Sequence, residues 1–562
     1  MALSPSLFQT LPVLVVRKVV EYLEERPRDY FDLAINEHNR KKAVLTPLLL
    51  VSECWRTAAL VSICDNCELT FDRSRKALEA TIPAWPADFS LPGFRKAHLV
   101  KRVVVAADLW KDMCDGAFCN TMSMVLYEAF SFPCAAFLEL ELYMAATGDS
   151  RSVSEIGKGG VVRFARSLLR LTPAVAAVAV NFLSVCTTHP DTELLYSTLV
   201  SELCQGNVNG LAVYSVLGST PPEMDLNGVT GLTSITQGPT TSCAAFTQLA
   251  YLNARTLKTL DIEIADESDW LNLIDGGTEI PAIYNNLTLF TLEVLGDPYD
   301  SVWMEIKDVA PFPSLSVLAV RGNYPFDDDL LFRGNGATMQ SLRLPFSAIA
   351  RNILSRFSVF QRSGVMRMNQ VIISEISDDD NRFLAENADV SIRQQMHSIL
   401  EVTATLHMWN DVGEYRMFYA IKDAPSTANL QYLYLADMSC NVDNIINLVV
   451  ALSSLVSISC NLRGVGPSIE AIPENKRPSS LRSKYYPLNV NYRKLRVLNT
   501  GKHSAEEIAY AAMLIAVLCP NFVHVDLPFA SRKVFGREIV WAAFHGPFKP
   551  YADVVTRLVY VE

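Results

Sequence analysis

Any chemistry in this chain of 562 residues must come from a few side-chain groupings. The closest pair of thiols is Cys64 and Cys67, in Ile-Cys-Asp-Asn-Cys. A structural zinc needs four tetrahedral ligands, and neither a second Cys-x-x-Cys nor a His-x-x-x-His follows. The pair therefore reads as a helix end that carries two thiols. Three-residue aspartate runs stand at 327–329 and 378–380. Clustered carboxylates suit Mg²⁺ or Ca²⁺, but here they read as solvated loops between elements. The glycine pairs at 158–160 and 333–336 read as turns, because no GxxxxGK[ST] occurs and no GxGxxG follows a strand. There is no HExxH, GxSxG elbow or EF-hand spacing. The eight histidines are scattered, with His524 in an apolar strand pattern and His407 beside one. Both read as packed or solvated. The expectation is a protein without catalytic residues, metal or cofactor.

Composition narrows the partners. There are 49 Lys+Arg against 60 Asp+Glu, a net charge of −11, with half the residues apolar and 19% charged. Such a chain can bury a large core, and global disorder is excluded. Phosphate backbones require a dense basic footprint, so no nucleic-acid partner is expected. Most of the twelve cysteines lie in apolar runs, such as Cys134, Cys186 and Cys519, which suits reduced thiols packed as small hydrophobes. The first twenty residues lack a basic stretch followed by a cleavage site. The longest apolar run, from Leu171 to Cys186, contains Thr172, Pro173 and Asn181 and is short for a span. A cytoplasmic and/or nuclear protein with no membrane partner is expected.

The elements that would position a binding surface repeat along the chain. From about residue 98 an irregular LxxLxL pattern recurs. Its clearest copies are Phe137-Leu140-Leu142, Val175-Val178-Val180, Leu257-Leu260-Ile262, Leu289-Leu292-Val294 and Leu315-Leu318-Val320. Met339-Leu342-Leu344, Leu430-Leu433-Leu435, Leu455-Ile458-Cys460 and Phe522-Val525-Leu527 continue it. Weaker copies start at Val100, Val208 and Val555, and Leu406 marks a further strand. Between them lie helical stretches such as GGVVRFARSLLRL, often with Pro-x-Leu just before a strand.

Spacings of 24 to 32 residues between Leu260 and Leu342 bracket and slightly exceed those of leucine-rich repeats, and Asn323 falls where such repeats keep an asparagine. The fold class expected is α/β: a leucine-rich-repeat solenoid with parallel strands on its concave face and helices on its convex face. An ordinary α/β sheet enzyme with leucine-rich strands and an α-solenoid are the competing architectures. In the solenoid the residues between the apolar positions face outward. They are Glu139, Glu141, Tyr143, Asp261, Glu263, Glu293, Arg321, Arg343, Tyr432, Tyr434 and Asp526, a target-binding surface acidic in its first half and Tyr/Arg-containing later.

Ahead of the repeats lies a different pattern. Leu11-Pro12 opens an amphipathic helix whose apolar face carries Val15, Val16, Val19, Val20 and Leu23. Arg26-Pro27 ends it. Two further helical patterns carry Leu48, Leu49, Val51, Trp55 and Leu60. Three short helices bury little by themselves, so the segment either caps the next domain or docks a partner.

The Leu-Pro opening, the closing Tyr22-Leu23 pair, and Leu48, Leu49, Val51, Ser52, Trp55 and Arg56 resemble the F-box. Leu14 stands where that family is usually acidic, and the link from Glu24 to Val44 is longer than usual. The resemblance implies a small three-helix F-box-like module over 8–75, a linker over 76–97 and the repeat solenoid over 98–562. It also implies the role of substrate-recognition subunit in a cullin-RING (SCF-type) ubiquitin ligase. A Skp-family adaptor, and through it the cullin-RING core, would be held by Leu11, Pro12, Val15, Val16, Val19, Val20, Leu23, Leu48, Leu49, Val51 and Trp55. The alternative is a non-enzymatic interaction scaffold whose N-terminal helices only cap the solenoid.

Overall fold

The computed structural model describes residues 53–63, 65–72, 77–81, 96–108, 131–143, 155–184, 191–215, 224–238, 242–276, 281–295, 310–322, 338–345, 368–376, 399–410, 429–440, 442–462, 491–497 and 524–526, with 45, 48, 331, 396, 397, 515, 519 and 521. The chain divides into two compact units. Unit one comprises Met1–Glu263 with Ser268–Ile280, and unit two comprises Ile264–Glu267 with Pro281–Glu562.

Unit one contains β1 (Asn66–Asp72), β2 (Ala77–Thr81), β3 (Arg102–Asp108), β4 (Phe137–Tyr143), β5 (Ala177–Ser184), β6 (Gly210–Ser215), β7 (Ser234–Gln237) and β8 (Thr259–Ile264). Helix α1 (Glu53–Ile63) precedes β1 and α2 (Glu155–Leu171) precedes β5. Helix α3 (Asp191–Leu203) precedes β6, α4 (Cys243–Leu252) precedes β8, and α5 (Glu267–Asp275) follows it. In unit two the strands are β9 (Leu289–Val294), β10 (Val317–Gly322), β11 (Ser341–Pro345), β12 (Met368–Ile376) and β13 (Thr403–Asn410). They continue with β14 (Tyr432–Cys440), β15 (Ser457–Leu462), β16 (Lys494–Val497) and β17 (His524–Asp526), and α6 (Val442–Ala451) lies between β14 and β15.

Strands pair in sequential order and in parallel, from β3 to β8 in unit one. The same holds from β9 to β17 in unit two. Among the described residues only β2 runs against its neighbour, pairing antiparallel with β1, which itself joins β3 in parallel. The fold is thus α/β with a parallel sheet. The parallel ladder begins at Asn66, inside the segment expected to be a helical module, and β2 occupies the expected linker. Cys67 is accordingly not at a helix end: it is a buried strand residue opposite Val103.

A turn precedes several of the strands. Phe132-Pro133-Cys134-Ala135 closes with the Ala135 N–H donating to the Phe132 carbonyl at 3.1 Å. The same bond closes Thr172–Val175, Tyr284–Leu287, Phe312–Leu315 and Leu452–Leu455 at 3.0 to 3.3 Å. Proline at the second turn position, as at Pro133, Pro173 and Pro313, presets the φ that such a turn needs. Past the turn, two successive N–H groups share one carbonyl of the preceding layer, as Ala176 and Ala177 do with Ala136. In some layers the residue before the frame also reaches backward. Thr256 Oγ1 donates to the Leu232 carbonyl at 2.6 Å and Thr338 Oγ1 to that of Leu315 at 2.8 Å.

Register fixes the repeat frame. Val103, Leu138, Val178, Leu211, Ile235 and Leu260 stand in one column of unit one. The frame of β4 is therefore Ala135-Leu138-Leu140, not Phe137-Leu140-Leu142. By the same test β9 is framed Leu287-Phe290-Leu292 rather than Leu289-Leu292-Val294. The strictly alternating Phe137–Tyr143 segment permits either phase, and the turn decides. A two-residue slip keeps each side chain on its face, so the assignment of Glu139, Glu141, Tyr143 and Glu293 to the outer face stands.

The inner column is closed by helices. Helix α2 buries Val161, Phe164, Ala165, Leu168 and Leu171, while Arg163, Arg166 and Arg170 face solvent. Gly159 and Gly160 lie inside this helix, not in a turn as their spacing suggested. In α3, Tyr196 packs on Phe182 of β5 with ring centroids 4.3 Å apart, so the helix covers the inward side of the strand. Arg166 and Glu202 link α2 to α3 at 3.0 Å, an exposed pair worth well under ~1 kcal/mol. In unit two, Phe312 meets Tyr284 at 5.3 Å and Phe290 at 5.0 Å.

Candidate interaction face

Alternation along β4 buries Leu138, Leu140 and Leu142 and turns Glu139, Glu141 and Tyr143 to the outer face. Glu139 is the best held of these. Arg102 Nε donates to its Oε2 at 2.8 Å, with Arg102 Nη2 on the same oxygen, and Asn181 Nδ2 donates to Oε1 at 2.6 Å. The guanidinium also lies 5.5 Å over the Phe137 ring. Two adjacent strands thus fix one carboxylate through charge-assisted bonds and a cation–π contact.

Glu141 sits one step along the strand. Burial raises its pKa above the ordinary 4.5, with Glu139 and Glu68 adding to the rise and Arg102 opposing it. Tyr143, 43% exposed, has its phenol pKa raised by burial and then by Glu141. Tyr214 on β6 is 39% exposed, and its pKa is raised by burial, then by Asp261 and Glu139. Its ring lies across Gly238 of the next strand, where a Cβ would come within 2.3 Å of Cδ1. Glycine at that register position is what lets the tyrosine lie down. Asp261 is half-buried on the same face, whereas Glu263 is 3% exposed and offers little open surface.

Unit two has a different outer face. Arg321 pairs with Glu293 at 3.8 Å, both partly exposed. Arg343 Nε lies 3.5 Å from Ser374 Oγ. His407, on β13 itself, stacks on Tyr434 of β14 with centroids 4.9 Å apart at 27°. Burial lowers its pKa below the ordinary 6.5. Tyr432 is 46% exposed. Asp526 stands opposite Arg496 in the register of β17 and β16.

Of the expected adaptor-binding residues, Leu11, Pro12, Val15, Val16, Val19, Val20, Leu23, Leu49 and Val51 lie outside the described residues. Leu48 is half-buried, and Trp55 is 5% exposed, buried on α1 along with Ala59, Leu60 and Ile63. The two aspartate runs, Cys64, Gly334 and Asn323 also fall outside the described residues.

Cys134, expected to be packed, is exposed, whereas Cys204, Cys440, Cys460 and Cys519 are buried. Burial pushes Cys204 and Cys519 up to about 12, so both stay protonated near neutrality. Cys460 is raised first by its hydrogen bond with Cys440 and then by burial. Among the described residues no group of three or more His, Cys, Asp or Glu could hold a metal ion. Among them, too, no helix is long and apolar enough to cross a membrane.

Sequence reading missed the main buried polar anchor, Asn253. It follows α4 and is 2% exposed. Its Nδ2 donates to the Val229 and Leu249 carbonyls and its Oδ1 accepts from the Leu232 N–H, each at 2.9 Å. The available signal was an asparagine four residues before a repeat, instead of after it as at Asn323. Comparison with protein-family models and with the curated proteins finds no match for this chain.

Proposed function

We propose that this protein recognises other proteins, and that it does so as the substrate-recognition subunit of a cullin-RING ubiquitin ligase. In this reading the parallel layers form a leucine-rich-repeat solenoid whose strand side is concave and receives the target. The F-box-like segment from Leu11 to Trp55 docks a Skp-family adaptor. The observation that carries recognition is the sequential parallel ladder, which sets half-buried and exposed polar side chains in columns on one face. Catalysis would then be proximity: the target lysine is held at high local concentration beside a separate transferring enzyme, and no residue of this chain takes part in bond making.

One observation favours the scaffold alternative for part of the segment. Trp55 is buried on a helix that runs within a few residues into β1, so α1 serves as the first layer of the fold. Adaptor docking would then rest on the earlier helix. The test is capture of the full chain by a purified Skp-family adaptor. Leu11→Ala with Pro12→Ala should abolish retention while leaving the melting midpoint unchanged. Equal retention of wild type and variant removes the ligase reading and leaves the scaffold.

A further inference from the structure

On the strand face of unit one Glu68, Glu141 and Asp261 are half-buried and Glu139 is buried beneath its partner Arg102. Arg102 is committed to Glu139, where carboxylate and Phe137 ring together seat a guanidinium. Glu141 beside Tyr143 repeats that pairing of carboxylate and ring, and among the described residues no ion pair occupies it. Tyr214 brings a second exposed ring next to a second carboxylate, Asp261, and Gly238 keeps that ring low over the sheet.

The column of Glu141 passes through Asn181, which is held on Glu139, to Tyr214, and the column beside it, from Glu139 to Asp261, carries only Ala179, Ala212 and Thr236. The floor is therefore low, and from β4 to β8 it spans about 19 Å at the usual strand spacing. That is the reach of roughly six extended residues.

We propose that this face docks an extended, Lys/Arg-bearing segment of a protein target, with a cation on Glu141, aliphatic stems against Tyr143 and Tyr214, and Asp261 adding negative charge beside the second ring. The proposal rests on the target-recognition reading above and deepens it by naming the chemistry of the target. Charge complementarity chooses the occupant. An acidic or phosphorylated segment would meet the like charges of Glu68, Glu141 and Asp261, with Glu139 already paired to Arg102, whereas a basic one relieves the mutual repulsion that Glu139 and Glu68 exert on Glu141. The long stems of lysine and arginine also suit exposed tyrosine rings better than small polar side chains do.

The experiment uses the full chain and fluorescein-labelled nine-residue peptide pools. One pool carries four Lys/Arg per peptide in a Gly/Ser/Ala background, a second carries four Asp/Glu, and a third is neutral. Fluorescence anisotropy should show binding of the basic pool only, weakening as salt rises. Glu141→Gln with Asp261→Asn should weaken it about tenfold or more, as loss of interfacial charge pairs does. Tyr214→Ala should also weaken it, Tyr214→Phe should retain it, and Arg343→Ala in unit two should leave it unchanged. Equal binding of the acidic or neutral pool overturns the proposal. So does unaltered binding by the doubly neutralised variant, or self-association of the chain that this variant abolishes in place of peptide binding. Adaptor capture, measured on the same variants, reports on the ligase reading separately, so failure of the peptide test leaves that reading standing and the reverse also holds.

Discussion

In unit one, the outer column that follows the second frame position carries Glu68, Glu139 and Asp261; in unit two the same column carries Arg343, His407 and Tyr434. The inner columns of the two units differ far less. Leu138, Val178 and Leu260 in the first correspond to Leu318, Leu342 and Leu433 in the second, all nearly inaccessible. Layers that bury themselves only against their neighbours constrain what points inward and leave the outer face open to diverge. Function is therefore to be sought in the outer columns, where the two units separate into an acidic and tyrosine-bearing surface and a mixed Arg, His and Tyr surface.

The largest effect that sharpens this contrast comes from buried polar anchors. Asn253→Ala in unit one strands the Leu232 N–H and the Val229 carbonyl inside the fold, and should cost about 2 kcal/mol or more. Asn429 in unit two makes a comparable single bond, to the Glu401 carbonyl at 2.6 Å, from an exposed position. Its replacement by alanine should cost only about 0.5–1 kcal/mol. Urea unfolding of both variants measures the difference. Equal losses would break the distinction between an internal anchor and a surface one.

Acid should act oppositely on the two faces. Burial and neighbouring carboxylates raise the Glu141 pKa, so its ionisation opposes folding, and the opposition disappears once pH falls below the ordinary value of 4.5. Glu141→Gln should therefore raise the melting midpoint at pH 7 and change little near pH 4. His407 behaves the other way. Its lowered pKa keeps it neutral in the fold while the unfolded chain takes up a proton below 6.5, so its contribution is present above 6.5 and is lost as pH falls. His407→Gln should flatten that acid slope. Parallel pH profiles for the two variants would show that the faces are not electrostatically distinct.

Much of the layering was legible in the sequence because it is written in apolar spacing. Val175-Val178-Val180, Leu257-Leu260-Ile262 and Leu315-Leu318-Val320 fall in the observed frame. Phase was lost where a strand alternates too regularly. Phe137–Tyr143 and Leu289–Val294 carry apolar residues at either phase, and only the preceding turns at Phe132 and Tyr284 settle it. Whole layers were missed where a frame position is polar or unusual. Gln237 fills the third position of β7 while buried to 4%, its Oε1 accepting from the Glu263 N–H. Met368 opens the frame of β12, and Tyr492 that of β16. On the candidate face, the direction of Glu139, Glu141, Tyr143 and Asp261 followed from strand periodicity alone. The partners that organise them did not, because Arg102, Asn181, Tyr214 and Gly238 lie on other strands and meet only through register.

The account depends on layers that are stable through their neighbours and not through one shared centre. Deletion of residues 211–234 removes one full layer and joins Gly210 to Ile235, positions that the register makes equivalent to a continuous chain. Thermal unfolding followed by circular dichroism should then show a folded protein with a lowered but still cooperative midpoint. Loss of cooperative unfolding in this variant would contradict the stack of layers and the reading of its outer face as a recognition surface.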